Sequence, residues 1–378
     1  MRLAAILLLA RVVHAQIYAD NLPLNHPAIH YSSDAADPVA QLQNRLNSGV
    51  ARLEFSNSGQ GYLPAVLREL GISTDSQALV FSKTSFQAGR ISPKNPRAIY
   101  FNDESAVGWV RGGSGIEIAS LDPKQGVIFY TLPATAMDRP VFARHEECLR
   151  CHQGPSTKGI PGIFIGSVFP GPTGAPDRTG AIITDHRTPF EDRWGGWYVS
   201  ALRGEQADRA NGVAPDPAEP HSLDNAGRQN LRAFTHEFNP AGYLSPISDV
   251  VALMTFEHQT QALNLIVRLG WRARLGSSDL DADIGVLVKY LTFADEAPLR
   301  EPMEGVSSFA KTFPEKGPLR EFDLQTRLFR YPLSYTIYSP AFDALPHGVR
   351  MRVYRMIAAN APQAVLKMLQ ETKPDFPR

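Results

Sequence analysis

The sequence predicts an α+β fold, with an N-terminal antiparallel β-rich region that contains both cysteines, followed by a mainly helical C-terminal region. Short β-branched or aromatic segments, separated by glycine and proline, occupy much of the first half of the chain. Apolar residues at helical spacing dominate its last third. We expect the two regions to pack as one unit. The predicted divisions are a leader at residues 1–15, a β-rich region at 16–203, a loop or linker at 204–225 and a helical region at 226–378.

Two helices and one short strand are predicted before most of the β segments. Apolar residues recur at helical spacing from Pro38 to Ser48 and predict the first helix. The second is predicted from Tyr62 to Leu70, where Gly71 closes it. Residues 53–55, between the two helices, are predicted to form a brief strand.

The remaining elements divide into strands first and helices later. The predicted strands share β-branched or aromatic residues between turn signals, and they lie at residues 78–81, 98–101, 106–110, 116–120, 126–130, 162–169, 180–184 and 194–201. The predicted helices share apolar residues at three-and-four spacing, and they lie at residues 250–276, 279–294 and 349–359. The polar, proline-dotted residues 204–225 are the predicted loop between these groups.

Charge and composition exclude some classes of partner. The 378 residues are 43% hydrophobic and 20% charged, which is typical of a globular protein. Lys plus Arg and Asp plus Glu each number 38, so no overall field would attract nucleic acid or an anionic membrane. We therefore expect no nucleic-acid partner and no integral membrane segment, because a spanning helix needs about 20 apolar residues.

The motif with the most specific chemistry contains the only two cysteines of the chain. Cys148, Cys151 and His152 form a Cys-x-x-Cys-His sequence, which is the attachment signature of a c-type haem. Two thiols at this spacing can add to the two vinyl groups of one porphyrin, and the adjacent imidazole can ligate the iron. We therefore expect one covalent haem c, with thioether bonds to Cys148 and Cys151 and with His152 as a metal ligand.

Two other kinds of site use a pair of cysteines at this spacing. A zinc site would need two more ligands, which only His145 and His152 could supply nearby, and four ligands within eight residues are crowded. A thioredoxin-like dithiol would follow a strand and open a helix, whereas Gly154-Pro155 follow this motif almost at once. Haem attachment remains the favoured interpretation.

The N-terminal residues resemble a short secretory signal peptide. A basic residue at Arg2 precedes an apolar run from Leu3 to Ala10, and Val13-His14-Ala15 forms a small-residue cleavage site. The alternative is a buried N-terminal helix. Covalent haem attachment takes place outside the cytoplasm, so this feature agrees with the motif. We expect an exported protein that is periplasmic or secreted.

The sixth iron ligand decides whether the haem is closed or open to small molecules. His258 is the first candidate distal ligand, because it lies within the predicted helix at 250–276, and Met254 lies one turn earlier. His186, near the end of a predicted strand, is the alternative distal candidate. His236 is a further candidate that lies between aromatic residues. An open or water-occupied position is the remaining possibility.

Several stretches of the chain carry a resemblance to known proteins, and they lie at residues 81–85, 97–103, 185–198, 252–259 and 330–343. They resemble a group of exported, largely uncharacterised bacterial proteins that carry one cytochrome c-like haem site. The similarity spans most of the mature chain. The resemblance implies a periplasmic c-type cytochrome with one haem, and it implies no particular substrate.

Together these features predict a periplasmic monohaem cytochrome that exchanges single electrons with a redox partner protein. The alternative is a haem-dependent oxidoreductase or peroxidase-like enzyme with an open distal site and a small-molecule substrate. In that enzyme His186, Arg187 or Arg193 would supply acid-base or charge-stabilising groups. A haem-based sensor is a third possibility.

Overall fold

Antiparallel strands form the centre of the fold in the computed structural model, which describes residues 21–377. The strands of the described residues are β1 (Ala78–Val80), β2 (Arg97–Phe101), β3 (Ser105–Val110), β4 (Gly115–Asp122), β5 (Gly126–Pro133), β6 (Ala143–Arg144), β7 (Ile165–Ser167), β8 (Ile182–Thr184) and β9 (Trp197–Tyr198). Seven of them form one sheet in the order β6-β5-β4-β3-β2-β1-β9, and β7 pairs with β8 in a separate hairpin. The predicted leader at residues 1–15 lies outside the described residues.

Helices flank this sheet and are the main regular elements of the C-terminal part. The α-helices of the described residues are α1 (Pro38–Asn47), α2 (Leu63–Glu69), α3 (Leu149–His152), α4 (Val250–Arg274), α5 (Asp281–Leu291), α6 (Phe309–Thr312), α7 (Pro340–Asp343), α8 (His347–Ala358) and α9 (Gln363–Thr372). Within residues 21–377, none of the helices has the length and apolar character that crossing a membrane requires.

The two faces of the sheet carry different side chains because successive residues of a strand point in opposite directions. In β4, Ile116, Ile118 and Ser120 are buried, whereas Glu117 and Ala119 are only partly buried. The sheet therefore has one fully covered face and one face that is less well covered near β4.

The register places four residues together on the less covered face. Glu117 pairs with Gly108 of β3 on one side and with Thr131 of β5 on the other. Gly108 in turn pairs with Ile99 of β2, two residues from Arg97, so Arg97 also points to this face. We call the face that carries Arg97, Gly108, Glu117 and Thr131 the open face.

Helix α1 covers the opposite face through a polar contact at its N-terminus. Asp37 caps α1 by accepting hydrogen bonds from the backbone N–H groups of Val39 and Ala40. The second carboxylate oxygen of Asp37 accepts a hydrogen bond of 2.7 Å from the Tyr130 hydroxyl. Because Tyr130 belongs to β5, one buried carboxylate fixes both the start of the helix and its position on the sheet.

Helix α4 covers one end of the open face. Phe256 of α4 stacks on Phe101 of β2 with ring centroids 4.4 Å apart. The segment that carries both cysteines lies between β6 and β7. It covers another part of the open face, where the centroid of the His152 ring lies 4.8 Å from that of the Phe129 ring. The open face is therefore bordered by a long helix and by the cysteine-containing segment.

The predicted α+β class is confirmed, with most strands and the first helices in the N-terminal half. The predicted helices at 38–48, 62–70 and 250–276 match α1, α2 and α4 within two residues at each end. The strand predicted at residues 53–55 is wrong, because this segment has no strand pairing and only Ser56 and Gly61 form an isolated bridge. Helix α9 was not among the predicted elements.

Residues 204–225 contain no helix or named strand and belong to a longer irregular segment that ends at α4. This segment is nevertheless packed, because Ala210 and Asn211 are buried. The Asn211 amide donates hydrogen bonds to the carbonyls of Val199 and Arg228. The Asn211 side chain thus satisfies backbone carbonyls that the pairing of strands would satisfy in a regular sheet.

Asp249 fixes the N-terminus of α4. One carboxylate oxygen accepts hydrogen bonds from the backbone N–H groups of Val251 and Ala252, which have no partner within the helix. The other oxygen accepts from the backbone N–H groups of Val306 and Ser307. Asp249 is fully buried, so these four donors depend on one carboxylate.

We predict that Asp249→Ala lowers the free energy of unfolding by about 2–4 kcal/mol, because it removes a helix cap and leaves buried donors without partners. Urea denaturation gives this value. Asp216→Ala is the matched control, since Asp216 is exposed and its carboxylate accepts a hydrogen bond from the nearby Ala218 N–H group. Its effect should stay within about 0.5 kcal/mol. Equal losses in the two variants would contradict the role of Asp249.

Candidate functional site

The two cysteines lie on a single helical turn. A 3-10 turn at Glu146–Cys148 leads directly into α3, so Cys148 and Cys151 are three residues apart in helical geometry. Side chains at this spacing lie on the same side of a helix. Cys148 is partly buried, Cys151 is exposed, and neither forms a disulfide. Both thiols are therefore available to one ligand that approaches from the same direction.

His152 ends this turn, and its ring is held in a defined orientation. Its Nδ1 atom lies 2.9 Å from the carbonyl oxygen of Gly162. A carbonyl can only accept, so Nδ1 carries the hydrogen and Nε2 carries the lone pair. The rings of Phe129 and Phe164 lie 4.8 and 5.6 Å from the imidazole ring. Among residues 21–377, no hydrogen bond to Nε2 is formed.

This environment favours the neutral form of His152. Burial lowers its pKa, and the hydrogen bond to Gly162 only partly opposes this effect. Histidines that ligate metals in proteins are neutral, and they usually donate their second ring N–H to a carbonyl or carboxylate. His152 therefore has the protonation state and the hydrogen bond that a metal ligand needs.

Helix α4 positions the segment that holds His152. The Asn264 amide donates a hydrogen bond of 2.8 Å to the Ile163 carbonyl, next to Gly162. A Cβ atom on Gly162 would lie 2.1 Å from the Asn264 Oδ1 atom, so this position requires glycine for close approach. The Gly162 N–H group also donates to the His152 carbonyl at 2.9 Å. The turn and the helix are thereby locked together.

A cavity of about 360 Å³ lies beside Cys148 on the open face. Its volume falls within the range of about 300–1,000 Å³ that is typical of ligand sites. Phe86 lines the cavity and is 73% exposed, which is unusual for a phenylalanine. The other lining residues are Gln87, Ser114, Gly115, Ile116, Glu117, Thr131, Leu132, Pro133, His145, Glu147 and Cys148.

An ion pair crosses the open face next to this cavity. Arg97 and Glu117 approach to 2.5 Å, although they belong to β2 and β4, which are separated by β3. Gly108 of β3 makes this possible, because a Cβ atom there would lie 2.2 Å from an Arg97 guanidinium nitrogen. The glycine thus provides the space in which the guanidinium reaches Glu117.

The local charges make Cys148 a poor thiolate. Burial raises the pKa of its thiol to about 11, and the carboxylates of Glu117 and Glu147 add to this effect. A redox-active dithiol needs a lowered pKa, because the thiolate is the nucleophile. The arrangement therefore argues against the thioredoxin-like alternative.

The mixed zinc site is also not formed. The Nε2 atom of His145 bonds the Thr131 hydroxyl at 2.8 Å, and its Nδ1 atom lies 3.4 Å from Glu147. Within residues 21–377, no group of three or more His, Cys, Asp or Glu side chains is arranged to hold a metal ion.

His258 and His186, the two candidate distal ligands, lie together in a second buried cluster. Their Nδ1 atoms are 2.9 Å apart, and the His258 Nε2 atom lies 2.6 Å from the Ser334 hydroxyl oxygen. The rings of Tyr290 and Phe293 contact both imidazoles. Burial lowers the pKa of both histidines, that of His186 to about 3. Both ring nitrogens of His258 thus have protein partners.

The direction of His258 separates it from the open face. Phe256, Thr260 and Leu263 contact or face the sheet from α4. Residue 258 lies roughly opposite these positions on a helix with 3.6 residues per turn. Its neighbours, Tyr290 and Ser334, come from the C-terminal elements and share no ring or hydrogen-bond contact with His152.

The other candidate residues occupy different surroundings. Met254 is buried within α4, and His236 is exposed in the irregular segment before it. Arg187 pairs with Asp185, and the fully buried Arg193 lies 3.6 Å from Glu257. The arginines assigned to the enzyme alternative therefore stabilise the cluster around His186. The ligand of the sixth iron position remains a prediction.

Sequence reasoning missed the residues that surround His152. Gly162, Phe129 and Phe164 carried no motif of their own, although glycine and aromatic residues close to a Cys-x-x-Cys-His sequence are a weak signal. Arg97 and Glu117 were also missed as a pair, because only the strand register reveals that they meet across Gly108.

No model of a known protein family matches the chain, and no detectably similar protein is found among curated proteins or solved structures.

We predict that Cys148 reacts slowly with an alkylating reagent in haem-free protein that carries Cys151→Ser. Because its pKa is raised to about 11, the thiolate fraction should rise about tenfold per pH unit without a plateau between about pH 7 and pH 10. Adding Glu117→Gln should accelerate the reaction at any one pH, since a negative charge is removed. A plateau below about pH 9 would show that the thiol is activated instead.

Proposed function

We propose that this chain is an exported c-type cytochrome in which one haem is bound to Cys148 and Cys151 and ligated by His152, and which exchanges single electrons with a partner protein. The observation that carries the proposal is the combination of two accessible thiols on one helical turn with a neutral, oriented imidazole at its end. Bound haem c would supply a one-electron iron couple.

Each residue of the turn has a separate task in this proposal. Cys148 and Cys151 would hold the haem through covalent thioether bonds. His152 would ligate the iron through Nε2, while the Gly162 carbonyl holds the imidazole ring and increases its basicity. Phe129 of the sheet and Phe164 beside Gly162 pack against the imidazole and shield it from water.

Electron exchange with a partner needs an accessible cofactor edge. Cys151 is exposed, and Phe86 presents an apolar ring to solvent beside Cys148. These two side chains leave the cofactor site open to solvent on this side, as exchange with a partner requires. The leader-like sequence at residues 1–15 supports export to the periplasm or beyond.

The second candidate function is a haem-dependent oxidoreductase with an open distal position. The hydrogen bonds of His258 to His186 and Ser334 favour this function. They occupy both ring nitrogens of His258, so neither nitrogen is available to ligate the iron. Ligation by His258 would require both bonds to break inside a buried cluster. The Nε2 atom of His186 has no hydrogen-bond partner among the described residues, but its ring packs against His258, Tyr290 and Phe293 inside the same buried cluster. We infer from these contacts that neither histidine holds the sixth position.

Attachment is tested by expressing the chain with its leader in bacteria that mature c-type cytochromes. We predict one haem per chain that stays on the polypeptide in a denaturing gel, and no retained haem when both cysteines are replaced by alanine. His236→Ala, which changes an exposed histidine of the irregular segment, should keep the haem. Wild-type protein without bound haem would contradict the proposed function.

The distal assignment is tested by His258→Gln and His186→Gln. We predict visible absorption spectra of the bound haem that match wild type, together with lower thermal stability because a buried hydrogen-bonded pair is disrupted. A change from a low-spin to a high-spin spectrum in either variant would instead identify that histidine as the ligand.

Carbon monoxide and cyanide separate the two candidate functions. A six-coordinate spectrum that neither molecule changes is expected for the electron carrier, with the sixth ligand supplied by a residue other than His186 or His258. Rapid formation of a new spectral species on adding either molecule would exclude the closed carrier and favour the oxidoreductase.

A further inference from the structure

Removing Arg97 and Glu117 from water costs free energy, and a gain in folding stability does not explain why this ion pair is present. Their side chains are only 20% and 17% exposed, so both charges are largely removed from water. Buried ion pairs of this kind contribute little net stability compared with apolar residues of similar size. The Arg97 Nε atom is fully enclosed and has no hydrogen-bond partner in the described residues, which adds a further penalty.

A glycine on the strand between them makes room for the same ion pair. Gly108 occupies the middle of the buried strand β3, where glycine is unfavourable and usually marks a close approach. A Cβ atom there would lie within 2.7 Å of three atoms of the Arg97 guanidinium group. Three neighbouring strands thus supply an arginine, a glycine and a glutamate that together place two opposite charges side by side.

The pair lies against the Cys-x-x-Cys-His turn. Glu117 lines the same cavity as Cys148. The charges of Arg97 and Glu117 both act on the His152 imidazole, in opposite directions. The carboxylate also acts on the Cys148 thiol. Glu117 is therefore close to both the thiol and the imidazole that would hold the iron, and its partner Arg97 is close to the imidazole.

We propose that Arg97 and Glu117 set the reduction potential of the haem held by Cys148, Cys151 and His152, an inference that rests on the proposed function. Reduction adds one electron to the iron, so a nearby cation stabilises the ferrous form and a nearby anion stabilises the ferric form. These interactions are strong in a partly buried site because the local dielectric constant is low. In the wild-type protein the two charges are paired, so their opposite effects on the reduction potential largely cancel.

The reduction potential of the full-length holoprotein tests this inference. Arg97→Met leaves Glu117 unpaired and should lower the potential, whereas Glu117→Gln leaves Arg97 unpaired and should raise it. We expect each single change to alter the reduction equilibrium constant by tenfold or more, which is about 59 mV for one electron. The double variant removes both charges and should return close to the wild-type potential.

Two further variants serve as controls. Arg97→Lys keeps the positive charge and should stay close to wild type. Arg350→Met breaks a comparable ion pair with Asp375, whose side chains are 17% and 31% exposed, in the C-terminal part of the chain. It should leave the potential unchanged, although it removes an arginine from an ion pair just as Arg97→Met does.

A purely structural role predicts a different pattern. Loss of packing would shift both single variants in the same direction, and the double variant would be at least as perturbed as either. Glu117→Gln keeps the side-chain size, so it is the decisive variant, and the absence of an upward shift overturns the inference. Wild-type protein that binds no haem overturns the proposed function itself, whereas bound haem with unaltered potentials overturns only the role of the ion pair.

Discussion

The hydrogen bond from the His152 Nδ1–H group to the Gly162 carbonyl is the interaction on which the candidate site depends. It selects the tautomer, directs Nε2 away from the protein backbone and connects the cysteine-containing turn to the loop behind it. That loop is in turn held by Asn264 of α4, whose N-terminus is fixed by Asp249. Helix α4 therefore connects a buried helix cap at one end to the loop that holds the imidazole.

The sheet places charged side chains beside the cysteine-containing turn. Its covered face is mostly apolar, and its polar side chains are hydrogen-bonded to one another, as Ser105 is to Ser120, or to the elements above, as Tyr130 is to Asp37. The open face instead carries a charged pair and a glycine beside Cys148. This difference between the faces separates the residues that stabilise the fold from those that surround the candidate cofactor site.

Local sequence signals predicted much of the fold and only part of the site. Helical periodicity located α1 and α4, and the spacing of Cys148, Cys151 and His152 located the turn, because these signals depend on residues close in the chain. The pairing of Arg97 with Glu117 depends on strand register. The contact of His186 with His258 depends on tertiary packing between the turn that follows β8 and helix α4. Two residues that were proposed separately as ligands are therefore hydrogen-bonded to each other.

The intact mass of the exported wild-type protein, followed by peptide mapping, tests the central claim most directly. The account predicts a mature chain heavier by one haem, with the added mass on the peptide that contains Cys148 and Cys151. A chain with the mass of the polypeptide alone, in which both thiols react with an alkylating reagent after denaturation, would contradict it.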